Sequence, residues 1–267
     1  MKFAHILLLA LFALTILYAL ALKLCSMKLD HRTAPIFISV WSLVGLAATW
    51  PFFHPLWHQG LKEFTATPSL LALSLAKGAL LYLSFATGQE LMHESLSSTN
   101  YVRPMAVGMI AIVNSALGER LHVLQWLSAF GICGLAAGFF FKGHLSELSA
   151  RGKRAYVVLV SLSVALAGID QTVISHVNWY SLLIVSNTSM LMLCFILNRK
   201  RGWILRDALF HRSAIFAGAF FTAAELVKFY QQVVINPITV VLTVQSAAAA
   251  VVLVLSATLW KERTVKE

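Results

Sequence analysis

Nine long apolar segments dominate the sequence and constrain the fold more than any other feature. A helix needs about 20 apolar residues to cross a hydrocarbon core of ~30 Å, and each segment is close to that length. Only 12% of the residues are charged, against about 25% in soluble domains. We therefore predict an all-α polytopic membrane protein with about nine transmembrane helices. The predicted spans are residues 3–22, 34–53, 68–91, 97–117, 123–141, 155–174, 179–197, 213–233 and 236–259.

The first span follows Lys2 and has to be distinguished from a cleaved signal peptide. Its apolar run is longer than a typical signal core, and Lys23 and Leu24 stand before Cys25 where a processing site needs small residues. We therefore interpret this segment as a retained transmembrane helix.

The Lys and Arg residues are concentrated in alternate loops. Fifteen lie in the segments 23–33, 142–154, 198–212 and 260–267, whereas three, Lys2, Lys62 and Arg120, lie in the loops between them. Short loops rich in Lys and Arg stay in the cytosol. The bias predicts a multi-pass protein of the cell membrane, with the bacterial inner membrane favoured, a cytosolic C-terminus and an N-terminus outside. We call the side with the fifteen charges the basic face and the other side the opposite face.

Two segments of the chain share an order of features that indicates an internal repeat. Residues 93–120 align without gaps onto residues 236–263, each with a polar break, an apolar helix and a terminal Glu-Arg. Three positions are identical, and any two apolar helices with polar ends could align this well. Five helices separate the two Glu-Arg ends, so the copies would be inverted, as in many secondary transporters.

The same residues carry a resemblance to a family. The polar turn Ser97-Ser98-Thr99, Pro104, Gly118-Glu119-Arg120 and Gly131-Ile132-Cys133-Gly134 resemble the EamA-like family of the drug/metabolite transporter superfamily, and Asn236-Pro237 with Lys261-Glu262-Arg263 repeat the pattern. The resemblance implies two inverted five-helix repeats that move small metabolites or amino acids. It predicts a first repeat over 1–142, a basic linker over 143–154 and a second repeat over 155–267, in which the tenth helix is absent.

Ionisable side chains inside predicted spans mark cavities or buried partners, because each costs roughly 2.5–3.5 kcal/mol at a helix centre. In the eighth span Thr222, Glu225, Lys228 and Gln232 form one polar stripe. The stripe is either a wall of a cavity or an internal Glu225–Lys228 ion pair that only packs. Lys77 is either an anion ligand or a counter-ion for Glu225 or Asp170.

Arg103 precedes Pro104, which removes a backbone donor and can open the fourth helix, and Asn114 shares the Arg103 face. Arg103 binds an acidic group or reaches lipid headgroups. We expect proton coupling at Glu225 and Asp170, although the position of Asp170 close to the opposite face fits a gate residue or an interfacial residue equally well. The predicted substrate-binding residues are Lys77, Tyr82, Ser84, Arg103, Asn114, Glu225, Lys228, Gln232 and Gln245.

Glycines on the fifth helix, Gly131, Gly134 and Gly138, indicate close helix packing. We expect this packing within the bundle, with a homodimer as the other interpretation.

No phosphate-binding loop, zinc-protease motif or nucleophile elbow is present, so we expect no enzyme activity and no cofactor. The spacing of Cys25, Cys133 and Cys194 indicates neither a metal site nor a disulfide framework. The net charge of +10 reflects loop orientation, and we expect no nucleic-acid partner.

The expected function is secondary transport of a small charged or zwitterionic metabolite, amino acids first, with the lipid bilayer as surroundings. Mixed charges in the predicted site motivate this expectation. The alternatives are a flippase for polyprenyl-phosphate or phospholipid headgroups, and a membrane scaffold whose charges are structural pairs.

Overall fold

The computed structural model describes residues 2–144, 146, 148–200, 202–234 and 238–259, and nearly all of these residues are helical. The described part contains no β-strand. The helices are α1 Lys2–Ser26, α2 Thr33–Ala66, α3 Pro68–Glu94, α4 Leu96–Asn100, α5 Val102–Ala116, α6 Val123–Phe139, α7 Ala150–Ile174, α8 Trp179–Asn198, α9 Gly202–Phe210, α10 Arg212–Val234 and α11 Ile238–Leu259.

Seven of the described helices, α1, α2, α3, α6, α7, α8 and α10, are long and apolar enough to cross a membrane, with α6 continued to Gly143 by a π-helical turn that begins at Phe140. The apolar described part of α11, Val241–Leu255, is shorter. The chain is therefore an all-α protein of the multi-pass membrane class. The repeat-defining residues Asn236-Pro237 and Lys261-Glu262-Arg263 lie outside the described residues.

The fourth predicted span is interrupted at Tyr101, between α4 and α5. Pro104 lies three residues later and has no amide hydrogen to donate to the Asn100 carbonyl, so the hydrogen-bond ladder cannot continue there. Ser95 caps the start of α4, and its hydroxyl accepts a hydrogen bond from the Ser98 amide.

Helix α2 continues to Ala66, well beyond its predicted end at residue 53, although it contains Pro51 and Pro55. Prolines are tolerated in membrane helices where neighbouring side chains bind the nearby carbonyls. Pro51 and Pro55 leave the carbonyls of Ala47 and Pro51 without an amide donor, and side chains at the start of α8 bind two α2 carbonyls on either side of them. The Tyr180 hydroxyl donates to the Leu46 carbonyl at 2.6 Å, and the side-chain Nδ2 of Asn178 donates to the Leu56 carbonyl at 2.9 Å.

Helix α7 begins at Ala150, inside the segment predicted as the basic linker. The Ser149 hydroxyl accepts from the Gly152 amide at 3.0 Å and caps the first turn. The Glu94 carboxylate of α3 in turn accepts from the Ser149 amide at 2.6 Å. Glu94 therefore ties α3 to the start of α7 on the basic face.

The helices form a bundle in which contacts between the two halves of the chain are extensive. Helix α1 packs against α10 and α11, α2 against α8 and α10, and α3 against α7 and α8. Helix α5 contacts α6, α7 and α11. Residues from α3, α5, α7, α10 and α11 consequently surround one interior space.

Close approaches between helices occur at glycines other than the predicted ones. A Cβ atom at Gly78 would lie 2.5 Å from the Ser186 carbonyl oxygen of α8, and one at Gly45 would overlap the Thr222 side chain of α10. Nothing in the described part of the chain lies within 4 Å of a Cβ built at Gly131, Gly134 or Gly138. The prediction that these three glycines pack the bundle is therefore wrong for the described residues, because they lie on an uncovered face of α6.

Candidate substrate cavity

Two adjoining cavities, each of about 150 Å³, lie inside the bundle. We call them the first and the second cavity. Five residues line both cavities, so the two cavities form one polar space. These residues come from α3, α5, α7 and α11. These shared residues are Ser84, Phe85, Arg103, Ser163 and Gln245.

The first cavity is lined by residues near the basic-face ends of their helices, among them Leu22, Met92, Asn100 and Val252. The second cavity extends from the shared residues toward the opposite face and contains the ionisable cluster. The interior space therefore runs from the basic side of the bundle to a charged inner end.

The inner end holds two ion pairs. Lys77 of α3 pairs with Asp170 of α7, and Lys228 pairs with Glu225 one turn away on α10 at 2.6 Å. Lys77 is 3% exposed and Asp170 is 7% exposed. Buried charges need partners of this kind, because an isolated one loses its hydration without compensation.

The Phe229 ring connects the two pairs. Its centroid lies 4.9 Å from the Lys77 Nζ atom and 4.1 Å from the Lys228 Nζ atom. Both ammonium groups therefore gain cation–π attraction from one fully buried ring. The arrangement keeps two cations within one small volume.

Arg103 differs from the other cations of the cavity. It lines both cavities, yet it forms no hydrogen bond or ion pair with another residue in the described ranges. Its guanidinium group is therefore available to an anion from outside the protein.

Two buried amide side chains among the lining residues also carry unpaired atoms. Gln245 is 2% exposed and lines both cavities, and its Oε1 atom has no hydrogen-bond partner within the described part. Asn187 lines the second cavity, and its Oδ1 atom likewise has no hydrogen-bond partner within the described part. Unpaired buried polar atoms cost about 1–3 kcal/mol each, so they indicate groups that a polar ligand or water satisfies.

The structure brings six of the predicted residues to the cavity and separates others from it. Lys77, Ser84, Arg103, Glu225, Lys228 and Gln245 line it, and so does the predicted proton-coupling residue Asp170.

Asn114 is fully buried but lines neither cavity, and Tyr82 packs against the core formed by α1, α2 and α10. Thr222 of the predicted stripe packs against Gly45 instead. The side chain of Gln232 lies outside the described residues.

Several lining residues were missed from the sequence, among them Tyr18 of α1, Ser163 of α7 and Asn187 of α8. Amides and hydroxyls are common in membrane helices, where they bond to their own backbone. Asn187 does so through Nδ2, which donates to the Leu183 carbonyl. A search for amides within apolar spans would have found Asn187.

Aromatic residues of α2 and α8 pack together in the same cluster as Phe229, on the side of the inner end that lies toward the opposite face. Trp179 and Tyr180 of α8 pack against Phe53, with ring centroids 5.1 and 5.5 Å away. The hydrogen bonds from Asn178 and Tyr180 to α2 carbonyls hold the same contact. We call this contact the α2–α8 seal.

An apolar groove of about 620 Å³ lies on the other side of the cavity wall, between α5, α6 and α11. Ser246 lines both the groove and the second cavity, and Ala249 lines both the groove and the first. Pro104 faces the groove, next in sequence to Arg103. A single layer of mostly small residues separates the polar interior from the groove.

No protein-family model matches the chain, and no curated protein matches it. Functional inference therefore depends on the geometry of the cavity.

Proposed function

We propose that the chain is a secondary transporter of a small charged or zwitterionic metabolite, with amino acids as the first substrates to test. The observation that carries the proposal is the polar cavity inside an apolar bundle, with five ionisable side chains on its walls. Charges inside membrane helices are costly and mark substrate or ion pathways. A volume of about 150 Å³ for each cavity suits a small metabolite.

The proposed architecture consists of two inverted repeats, similar to the EamA-like transporters that the sequence resembles. Support comes from helix packing. In the two repeats α1 would correspond to α7, α2 to α8, α3 to α10 and α5 to α11. Under this correspondence the α1–α10 contact becomes α3–α7, the α2–α10 contact becomes α3–α8 and the α1–α11 contact becomes α5–α7. All six of these contacts are present. The α2–α8 and α5–α11 contacts map onto themselves. In transporters built from inverted repeats, the substrate site lies between the two repeats.

Alternating access would occur by rocking one repeat against the other around this site. The cavity extends toward the basic face, and the α2–α8 seal closes the opposite face. Rupture of the seal, with closure on the basic side, would expose the site to the opposite face. In the proposed orientation, in the cell membrane, the basic face and the C-terminus are cytosolic and the N-terminus is outside.

We place proton coupling at Glu225 and Asp170. Each carboxylate is paired with a lysine at the inner end of the cavity. A proton taken up by either carboxylate would break its pair and leave the lysine to bind substrate. Release of the proton on the other side would restore the pair.

Counterflow uptake in proteoliposomes tests the proposal, with a panel of amino acids and small organic anions and cations, with and without an inward-acid pH gradient. We expect uptake of one class of solute, accelerated by the gradient. Glu225→Gln should abolish the acceleration, whereas Glu63→Gln, which neutralises a carboxylate at the end of α2, should not. No uptake of any solute by folded protein would refute a metabolite transporter.

A lipid flippase is the second candidate, favoured by the apolar groove that adjoins the cavity. A phosphate headgroup would occupy the cavity while its acyl chains stay in the groove or in lipid. Movement of a labelled phospholipid headgroup between leaflets, without uptake of any metabolite, would support this candidate over the first.

A further inference from the structure

We infer that the transported group is a singly charged oxyanion and that Arg103 and Gln245 bind it. This inference rests on the proposed transport function and narrows its substrate class. It starts from the charges that face the cavity, which are Lys77, Arg103, Asp170, Glu225 and Lys228.

The charges of the cavity do not cancel. The Lys77–Asp170 and Lys228–Glu225 pairs are each neutral, which leaves the guanidinium group of Arg103 as the one uncompensated charge among the described lining residues. Arg103 is partly buried, and a cation with no counter-ion inside a membrane bundle is unfavourable. One bound negative charge removes this imbalance.

A zwitterion fits these walls less well than an anion. Its carboxylate could bind Arg103, but its ammonium group would need a carboxylate, and both cavity carboxylates are already paired with lysines. Binding would therefore require breaking a buried ion pair. A monoanion needs no such exchange and leaves the cavity neutral.

The groups around Arg103 suit an oxyanion. The planar guanidinium group donates two parallel hydrogen bonds to two oxygens of a carboxylate or phosphate. The Gln245 side chain is almost fully buried and lines the same two cavities, and its amide NH₂ group supplies N–H donors. Ser84 lines them as well and supplies a hydroxyl donor, whereas the Ser163 hydroxyl already donates to the Leu159 carbonyl.

A carboxylate of a free metabolite and a phosphodiester of a lipid headgroup both satisfy this chemistry. Each carries a single negative charge over two terminal oxygens. The polar space would take the metabolite alone, or a headgroup whose chains pass into the groove beside Ser246 and Ala249. The experiment has to distinguish these two sources.

Probes that share a carbon skeleton isolate the effect of charge. We would measure binding to the full chain in nanodiscs by titration calorimetry, with propionate, alanine and ethylamine and with 3-phenylpropionate, phenylalanine and phenethylamine. Counterflow of the same six compounds and leaflet exchange of labelled phosphatidylglycerol would be measured in proteoliposomes. The variants are Arg103→Gln, Arg103→Lys and Gln245→Leu, with Arg206→Gln as a charge-matched control at an exposed position of α9.

Within each set of three compounds that share a carbon skeleton, we expect the anion to bind at least about tenfold more tightly than the zwitterion or the cation. Arg103→Gln should remove that preference, Arg103→Lys should retain part of it and Gln245→Leu should weaken it, whereas Arg206→Gln should behave as wild type. Arg103 bonds to no described residue, so its variants should fold, and size-exclusion profiles check this.

The outcomes separate the inference from the proposed function. Transport of zwitterions or cations that is indifferent to Arg103→Gln would overturn the oxyanion site and leave a metabolite transporter standing. Exchange of phosphatidylglycerol that needs Arg103, with no metabolite uptake, would support the oxyanion site in a flippase. Absence of binding and movement for every probe would overturn both.

Discussion

Lys77 and Asp170 stabilise the bundle only as a pair. Each is buried, and they lie on different helices, so removal of one leaves an uncompensated charge in the interior. Removing one partner of a buried ion pair costs about 3–5 kcal/mol, whereas replacing both by apolar groups is often neutral. The pair therefore behaves differently from a surface salt bridge.

We expect Lys77→Met to lower the thermal unfolding temperature of the detergent-purified protein strongly. The double variant Lys77→Met/Asp170→Leu should recover most of the loss. Lys62→Met, an exposed change near the end of α2, serves as control and should have little effect. Equal unfolding temperatures for the Lys77 and Lys62 variants would contradict the structural role of the pair.

At the scale of the helices, backbone contact at glycine holds α3 against α8. The Gly78 position faces the Ser186 carbonyl and the Ser189 side chain, so a methyl group there has no space. Helices in lipid associate by such close packing, because the lipid is as apolar as their side chains.

Gly78→Ala should therefore separate α3 from α8 and lower the unfolding temperature. Gly131→Ala is the matched control, since both changes raise helix propensity by up to about 1 kcal/mol and nothing described lies within 4 Å of a Cβ at Gly131. We expect the control to be neutral or slightly stabilising. A Gly78 variant as stable as the control, in the same thermal unfolding measurement, would argue against close α3–α8 contact.

The start of α7 depends on a carboxylate from α3. Glu94 accepts hydrogen bonds from the Ser149 amide and hydroxyl, and a negative charge at a helix N-terminus is favourable. Glu94→Ala should lower the free energy of unfolding by about 1 kcal/mol. Glu90→Ala, which breaks only the pair with the more exposed Arg151, should cost less. Denaturant titration of both variants measures the two free energies of unfolding. Equal decreases for the Glu94 and Glu90 variants would contradict the prediction.

At the scale of the whole molecule, the distribution of Lys and Arg predicts which face is cytosolic. Lys62 lies near the end of α2 on the opposite face, and Ser146 is exposed in the basic loop. A membrane-impermeant thiol reagent should label Lys62→Cys in intact cells. It should label Ser146→Cys only after permeabilisation, in a background without the three natural cysteines. The reverse pattern would invert the orientation of the protein.

The sequence was sufficient to predict the class of the protein and most helix positions. Runs of apolar residues determine helices in lipid locally, because every backbone polar group must be satisfied within its own segment. The helix boundaries predicted from the sequence were wrong where residues distant in the chain contact a helix. Helix α2 continues past Pro51 and is held against α8 by hydrogen bonds to its Leu46 and Leu56 carbonyls, and α7 starts early where Glu94 supports its cap.

Only the tertiary structure decided which polar residues meet. The sequence identified Lys77, Arg103, Asp170, Glu225 and Lys228 as unusual, but left the partner of Lys77 open between Glu225 and Asp170. Helix packing brings it to Asp170, on a helix distant in the chain, and leaves Arg103 without a carboxylate among the described residues. The cost of a charge in lipid is a property of each residue, whereas its compensation depends on how the helices pack.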